Sequence, residues 1–229
     1  KSLTGVWKEE HVFELEQSYS IYQFYHAKLK ECDAKIEEHL REKSGVDTFV
    51  EPQKKEKSNK NNLNFNGKEM LYELTGTDLA EIFGITETNA IEIISEVGLD
   101  MSKWPTVKHF TSWLNLAPNN KISGGKVLSS RIPKKKNHAG QIFRMAAFAI
   151  QRSKNWLAMF YNRIKAKNGA PKAIVATARK IAAIFYKMIK ERVKFNPIPI
   201  EKYMDGFKEN QIKKLKRQDK SLGLQIVEM

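Results

Sequence analysis

The sequence predicts a mainly α-helical protein in which a long coiled-coil helix leads into a compact helical domain holding a helix-hairpin-helix and a glycine-rich serine loop. Three observations carry that prediction. Residues 8–43 place Leu15, Tyr22, Leu29 and Ile36 at seven-residue intervals among charged side chains, the pattern of a coiled-coil seam. Residues 71–97 read as helix, short glycine turn, helix. Residues 142–189 carry two apolar stripes at helical spacing.

Taken in order, residues 1–50 form the coiled-coil element. Val12, Tyr19, Tyr25 and Leu40 flank its seam, while His26 and Asp33 interrupt the second apolar row. Pairing with other copies through residues 8–43 is the expectation, and folding back on its own chain is the alternative. Residues 51–66, Glu-Pro-Gln-Lys-Lys-Glu-Lys-Ser-Asn-Lys-Asn-Asn-Leu-Asn-Phe-Asn, offer almost nothing to bury and read as a linker.

Residues 67–196 form the compact domain. Leu71, Leu74, Leu79, Ile82 and Phe83 lead to Gly84, and Ile91, Ile93, Ile94 and Val97 continue a second helix that Gly98 ends. In a helix-hairpin-helix the turn amides meet a backbone phosphate. Thr86 stands where a second glycine is usual, so Gly84 reads either as a phosphate contact or as a structural corner. Ile142, Met145, Ala146, Ala149, Ile150, Leu157, Phe160 and Ile164 make one apolar face, and Ala173 to Ile189 another, with Pro171 suited to a first helical turn. Trp104, Phe110, Trp113 and Leu116 complete the core, and Trp156 is core in preference to a base-stacking platform. Residues 197–229 are a basic tail, rich in lysine after Pro197 and Pro199, which either folds on nucleic acid or stays solvated.

Charge points to the partner. The 40 Lys and Arg against 26 Asp and Glu give a formal net charge of +14, a field that attracts polyanions and makes binding salt-dependent. Nucleic acid is the first expectation, with a merely basic protein or an anionic lipid surface as alternatives. No apolar run suits a membrane span and no signal peptide is visible, so a cytoplasmic chain is expected. The lone Cys32 forms no internal disulfide and no zinc cluster, and it reads as a buried helix residue. A chain beginning at Lys1 suggests a fragment of a longer protein.

The chemistry concentrates in Ser123-Gly124-Gly125-Lys126. Two glycines without Cβ let peptide amides close around an anion, and Lys126 and Arg131 add positive charge beside the hydroxyl. That suits a nucleophile aimed at phosphorus, and equally an ordinary turn. Ser129 and Ser130 are competing hydroxyls in what reads as a short extended segment. The basic strip Arg131-Ile132-Pro133-Lys134-Lys135-Lys136-Asn137-His138 follows and runs into Phe143-Arg144-Met145-Ala146-Ala147. His109 and His138 read as surface imidazoles, with a phosphate contact or proton shuttle at His138 as the sharper possibility. A P-loop is poorly supported, since its glycine-to-lysine spacing and the Ser or Thr after the lysine are both absent.

Together with the later Gly169-Ala170-Pro171-Lys172-Ala173-Ile174, the opening Leu3-Thr4-Gly5-Val6-Trp7 and Cys32-Asp33, this ordered series resembles the bridge-RNA-guided insertion-sequence transposases. These are serine recombinases whose other half is a DEDD-type RuvC-like domain, and the resemblance runs from about residue 3 to about residue 195. Departures are Asn115, where a glycine is common, and Ile122, where a polar residue is frequent. The resemblance implies a DNA transposase in which Ser123 is the nucleophile of strand exchange. The candidate nucleic-acid contacts are Gly84 of the hairpin turn together with Gly124, Gly125, Lys126, Arg131, Lys134, Lys135, Lys136, Asn137 and Arg144 of the serine segment and the basic strip that follows it. Among these, Lys126, Arg131 and Lys134 would stabilise the charge of the pentacovalent phosphorus. The resemblance implies DNA and a guide RNA as partners, and Mg²⁺ held by a RuvC-like domain outside this sequence; the present chain offers no metal site of its own, and alone it is expected to bind without cutting. Two other functions stay open: a non-enzymatic helix-hairpin-helix binding module, and an oligomerisation scaffold.

Overall fold

The computed structural model describes residues 5, 7–44, 63–132 and 137–222. It is mainly helical, with one small two-stranded sheet among the described residues. The chain divides into two compact units, Lys1–Leu74 and Thr75–Met229. The expected linker lies outside the described residues except for 63–66.

In the first unit, α1 (Glu9–Ser44) runs for 36 residues. Glu9 and Glu10 in its first turn and Arg41 and Lys43 in its last complement the helix dipole. Lys28–Glu31 at 2.8 Å, Lys35–Glu38 at 2.6 Å and Glu37–Arg41 at 2.5 Å brace successive turns, each by a few tenths of a kcal/mol, roughly, at such exposed sites. No residue of α1 is buried, so the seam side chains Leu15, Tyr22, Leu29 and Ile36 are all exposed. Cys32 is exposed as well; the burial expected for it required a packed helix, and α1 packs none of its residues. Asp33 accepts a hydrogen bond from the Asn64 side chain at 2.6 Å. The next helix, α2, spans Gly67–Thr75.

The second unit opens with a single 3-10 turn, Leu79–Glu81, capped by the Asp78 carboxylate on the Ala80 amide at 3.1 Å. The first limb of the predicted helix-hairpin-helix is therefore interrupted, with α2 ending at Thr75 and only this turn before Gly84. After Gly84, α3 (Glu87–Val97) starts with a reciprocal capping box between Thr86 and Asn89. Thr86, which lacks the conformational freedom of the usual glycine, thus serves as the N-cap. Helix α4 is Val107–Trp113.

Four further helices follow the sheet: α5 (His138–Ala149), α6 (Trp156–Asn168), α7 (Ala170–Glu191) and α8 (Ile200–Leu222). The apolar face predicted from Ile142 to Ile164 belongs to two helices. A 3-10 turn at Ile150–Arg152 leads to an extended Ser153, and Asn155 caps α6 by accepting from the Ala158 amide at 2.9 Å. A Ser-Lys-Asn segment that binds its own backbone outcompetes helix continuation there. Met145 and Ala149 consequently point outward.

α7 is the centre of this unit, with α4, α5 and α6 packed on it. Its predicted stripe is buried at Ala173, Thr177, Ala178, Ile181, Ala182, Phe185 and Ile189, and half-buried at Ile174. Phe110, Phe143 and Phe185 meet edge to face at 5.4–6.5 Å, a geometry that orients the ring quadrupoles favourably. Trp104 is buried against Phe110, whereas Trp113 tilts against Trp104 at 5.0 Å and remains partly exposed. Trp156 is buried, as expected of a core aromatic.

The predicted tail folds into α8, a helix rich in Lys, Glu, Gln and Leu, all good helix formers. Its start is anchored where Tyr203 lies 5.9 Å from Trp156 and the Arg163 guanidinium packs over Phe207 at 4.6 Å. Burial pushes the Tyr203 phenol up, against the opposing charge of Arg163. Ile212 and Leu215 further along are exposed. Among the described residues no helix is long and apolar enough to cross a membrane.

Candidate nucleic-acid interface

The serine segment is built from α4 outward. After Leu114 the backbone turns at Asn115, whose φ is +55°. That left-handed conformation favours glycine, and asparagine is among the side chains that tolerate it best. The expectation of a glycine here, and the asparagine found instead, thus share one backbone cause. The Leu116 amide closes the turn onto the Thr111 carbonyl at 2.9 Å. Arg144, from α5, donates to the Asn115 carbonyl at 2.8 Å.

The chain then forms an antiparallel hairpin, β1 (Lys121–Ser123) with β2 (Lys126–Ser129), extended at its foot by the Asn119 amide donating to the Arg131 carbonyl at 3.2 Å. Ser123 pairs with Lys126 and Ile122 with Val127, while a bulge follows Lys121. Gly124 and Gly125 are the two turn residues, with φ of +55° and +74°. Two consecutive positive φ values define the tight turn that matches strand twist, which is the reason for paired glycines here. The Gly-rich loop predicted from sequence is this hairpin turn.

Ser123 and Lys126 are register partners at the end of the hairpin, so their side chains leave the same face. All of Ser123, Gly124, Gly125 and Lys126 are exposed, and no atom lies within 4 Å of where a Cβ would stand at either glycine. A phosphate can approach the turn without displacing anything described. Ile122, Val127 and Leu128 are 63%, 57% and 70% exposed, so the hairpin is covered on neither face at its tip. Ser129 belongs to β2 as expected of the extended segment, and its hydroxyl accepts from the Arg131 amide at 3.4 Å.

The other sequence-predicted contacts are more dispersed. Arg131 is exposed at the foot of the hairpin. Asn137 caps α5, accepting from the Gly140 amide at 2.7 Å and donating to the Trp113 carbonyl at 3.2 Å. Arg144 is half-buried, and desolvation lowers its pKa from the ordinary guanidinium value. Both side chains thus tie α5 to the end of α4 and the turn that follows it. Gly84 has a φ of +85°, and a Cβ there would lie 2.6 Å from the Ala146 carbonyl and 2.7 Å from the Ile150 side chain. Close packing on α5 accounts for this glycine. Lys134, Lys135 and Lys136 lie outside the described residues. His138 is exposed, its Nδ1 3.5 Å from Glu96 Oε1, and His109 Nδ1 lies 2.9 Å from the Thr106 hydroxyl.

The outer stripe of α7 adds cations that lie outside the serine segment and the basic strip. Lys172, Arg179, Lys180 and Lys187 recur at seven- and eight-residue spacing, opposite the apolar stripe, a periodicity that marks one helix face. Among the described residues no group of three or more His, Cys, Asp or Glu is arranged to hold a metal ion.

No curated protein matches the chain. Residues 76–162, which contain the Gly84 turn, α3, α4, the serine hairpin and α5, match the model described as Transposase IS116/IS110/IS902 family, so this part of the chain is similar to insertion-sequence transposases.

Proposed function

We propose that this chain is the DNA-binding, serine-bearing part of an insertion-sequence transposase, with Ser123 as the nucleophile of strand exchange. The observation that carries the proposal is the exposed Ser123–Lys126 pair at a hairpin turn open to a phosphate, inside the segment similar to transposases. Ser123 Oγ forms a bond to phosphorus while a bridging P–O bond of the DNA breaks. The serine proton leaves to a base and the departing oxygen gains a proton. The bond energy is conserved in the phosphoserine until the new partner's hydroxyl reverses the step. Lys126 stabilises the charge that grows on the phosphoryl oxygens in the transition state, and Arg131 contributes from the hairpin's foot. Pairing of copies through α1, a guide RNA and a Mg²⁺-binding RuvC-like domain complete the proposed assembly.

One observation favours a second function, a non-enzymatic binding module. Positive φ at both Gly124 and Gly125 explains the glycine pair as turn chemistry alone. Covalent capture separates the two. With a RuvC-like domain, Mg²⁺, guide RNA and DNA supplied, the expected result is a DNA adduct on Ser123 that Ser123→Ala abolishes while binding stays nearly intact, since a group acting in the transition state adds little to ground-state affinity. An adduct that survives in Ser123→Ala moves the chemistry to Ser129 or Ser130. No adduct in the wild type leaves the binding module.

A further inference from the structure

Two hollows lie side by side along the outer stripe of α7. The first, about 690 Å³, is walled by Ser130 and Ile132 where the chain leaves the serine hairpin, by Phe160 and Ile164 of α6, and by Lys172 and Arg179 of α7. The second, about 460 Å³, is walled by Trp156, Tyr186, Phe195, Lys187 and Lys194. Lys180 and Ala183 line both, which makes the two hollows neighbours on one track. From Lys172 to Glu191 that track follows α7 for about 28 Å at 1.5 Å per residue.

The walls select the occupant by chemistry. No carboxylate lines the first hollow. Glu191, the acid of the second, lies 3.7 Å from the Lys187 ammonium. Lys172 and Arg179 form no ion pair among the described residues, while the Lys180 ammonium sits over the rings of Phe160 at 5.3 Å and Trp156 at 5.9 Å. Cations therefore follow one edge of a floor of aliphatic carbon whose half-buried rings are Phe160 and Phe195, with Trp156 and Tyr186 buried beneath it. A duplex hides its base faces and presents only phosphate to such a floor, whereas an unpaired strand offers both phosphates and bases. An acidic peptide would meet the charges but brings a flat ring only at scattered aromatic residues, whereas every nucleotide of an unpaired strand carries both a phosphate and a ring.

We infer that the α7 track binds a single strand of DNA, its phosphates along Lys172, Arg179, Lys180 and Lys187 and its bases over the hollows, beside Ser130 and Ile132 where the chain leaves the serine hairpin. The inference rests on the proposed transposase function for the choice of DNA, and its geometry stands apart from Ser123. It assigns to α6 and α7 the holding of an unpaired strand during exchange.

The test is fluorescence anisotropy of labelled oligo(dT) on the full chain across a salt series. Lys172→Ala with Arg179→Ala should weaken binding at least tenfold and reduce the logarithmic salt slope by about 1.4, since each single-strand phosphate contact contributes roughly 0.7. Ala183→Trp, which blocks the junction of the hollows without changing charge, should weaken binding comparably, with the helical circular dichroism unchanged. Lys28→Ala with Lys30→Ala on α1 removes equal charge and should leave binding within about twofold. Equal losses in the α1 pair, or full binding by Ala183→Trp, would overturn the track in favour of diffuse surface charge. Tighter binding of duplex DNA or of oligo(U) than of oligo(dT) would overturn the choice of single-stranded DNA. Ser123→Ala should bind oligo(dT) as the wild type does, so a failed adduct experiment and a failed track remain distinct results.

Discussion

At Gly84 a methyl group would collide with the Ala146 carbonyl and the Ile150 side chain while holding a φ of +85°. Gly84→Ala is therefore expected to lower stability by roughly 2–4 kcal/mol, from left-handed strain and overpacking together, measurable by urea unfolding. If nucleic-acid affinity fell with stability unchanged, Gly84 would be a phosphate contact instead of a packing residue. Thr177 makes the opposite case. It is fully buried on α7 and its hydroxyl has no hydrogen-bond partner among the described residues. Replacing it by the isosteric valine removes an unsatisfied polar group, so Thr177→Val should be neutral or stabilising by about 1 kcal/mol. A clear loss of thermal stability would show that the hydroxyl is satisfied in solution. Sequence inspection placed Thr177 on the core face but gave no sign of its isolation, because hydrogen-bond partners are set by neighbours distant along the chain.

Among the elements of the second unit, the serine hairpin has little support from packing, since Ile122, Val127 and Leu128 are exposed and an isolated two-stranded hairpin is marginal in water. Its turn chemistry must then supply much of its order. Asn in place of Gly124 keeps a residue suited to positive φ and should preserve the hairpin and the proposed adduct, whereas Ala at both Gly124 and Gly125 should disorder it. Amide exchange at Ser123 and Lys126 would report the difference; protection retained in the double alanine variant would contradict the turn assignment. At the foot, Asn137→Ala removes both a helix cap and a bond to the Trp113 carbonyl, and a cost of about 1–2 kcal/mol is expected in thermal denaturation. The residues Asn137 and Arg144 drew attention as polar groups within a basic strip. Their bonds to the Gly140 amide and to the carbonyls of Trp113 and Asn115 became legible only once α4 and α5 were side by side.

For the whole molecule, α1 exposes Leu15, Tyr22, Leu29 and Ile36 along 36 residues without burying any of them. Water contact on so many apolar side chains favours association, and the seven-residue spacing selects a second helix of the same kind. Sedimentation at micromolar concentration should give at least a dimer, and deletion of residues 1–50 should give a monomer. A monomeric full chain would remove the argument. The formal charge of +14 makes steep salt dependence of DNA binding the companion expectation.

What the sequence by itself determined is whatever depends on neighbours along the chain. The seven-residue row predicted α1, the apolar stripe of residues 173–189 predicted the buried face of α7, and the Ser-Gly-Gly-Lys series pointed to the segment that matches a transposase family. Tertiary structure decided the rest. The Ser153 amide bonded to the Ile150 carbonyl and the Ala158 amide bonded to the Asn155 side chain split a continuous apolar pattern into α5 and α6, and the rings of Trp156 and Phe207 turned a basic tail into the anchored helix α8. The cationic track on α7 acquired meaning only when α6 and the foot of the hairpin supplied its walls, because a groove is a relation between elements and one helix has only a face.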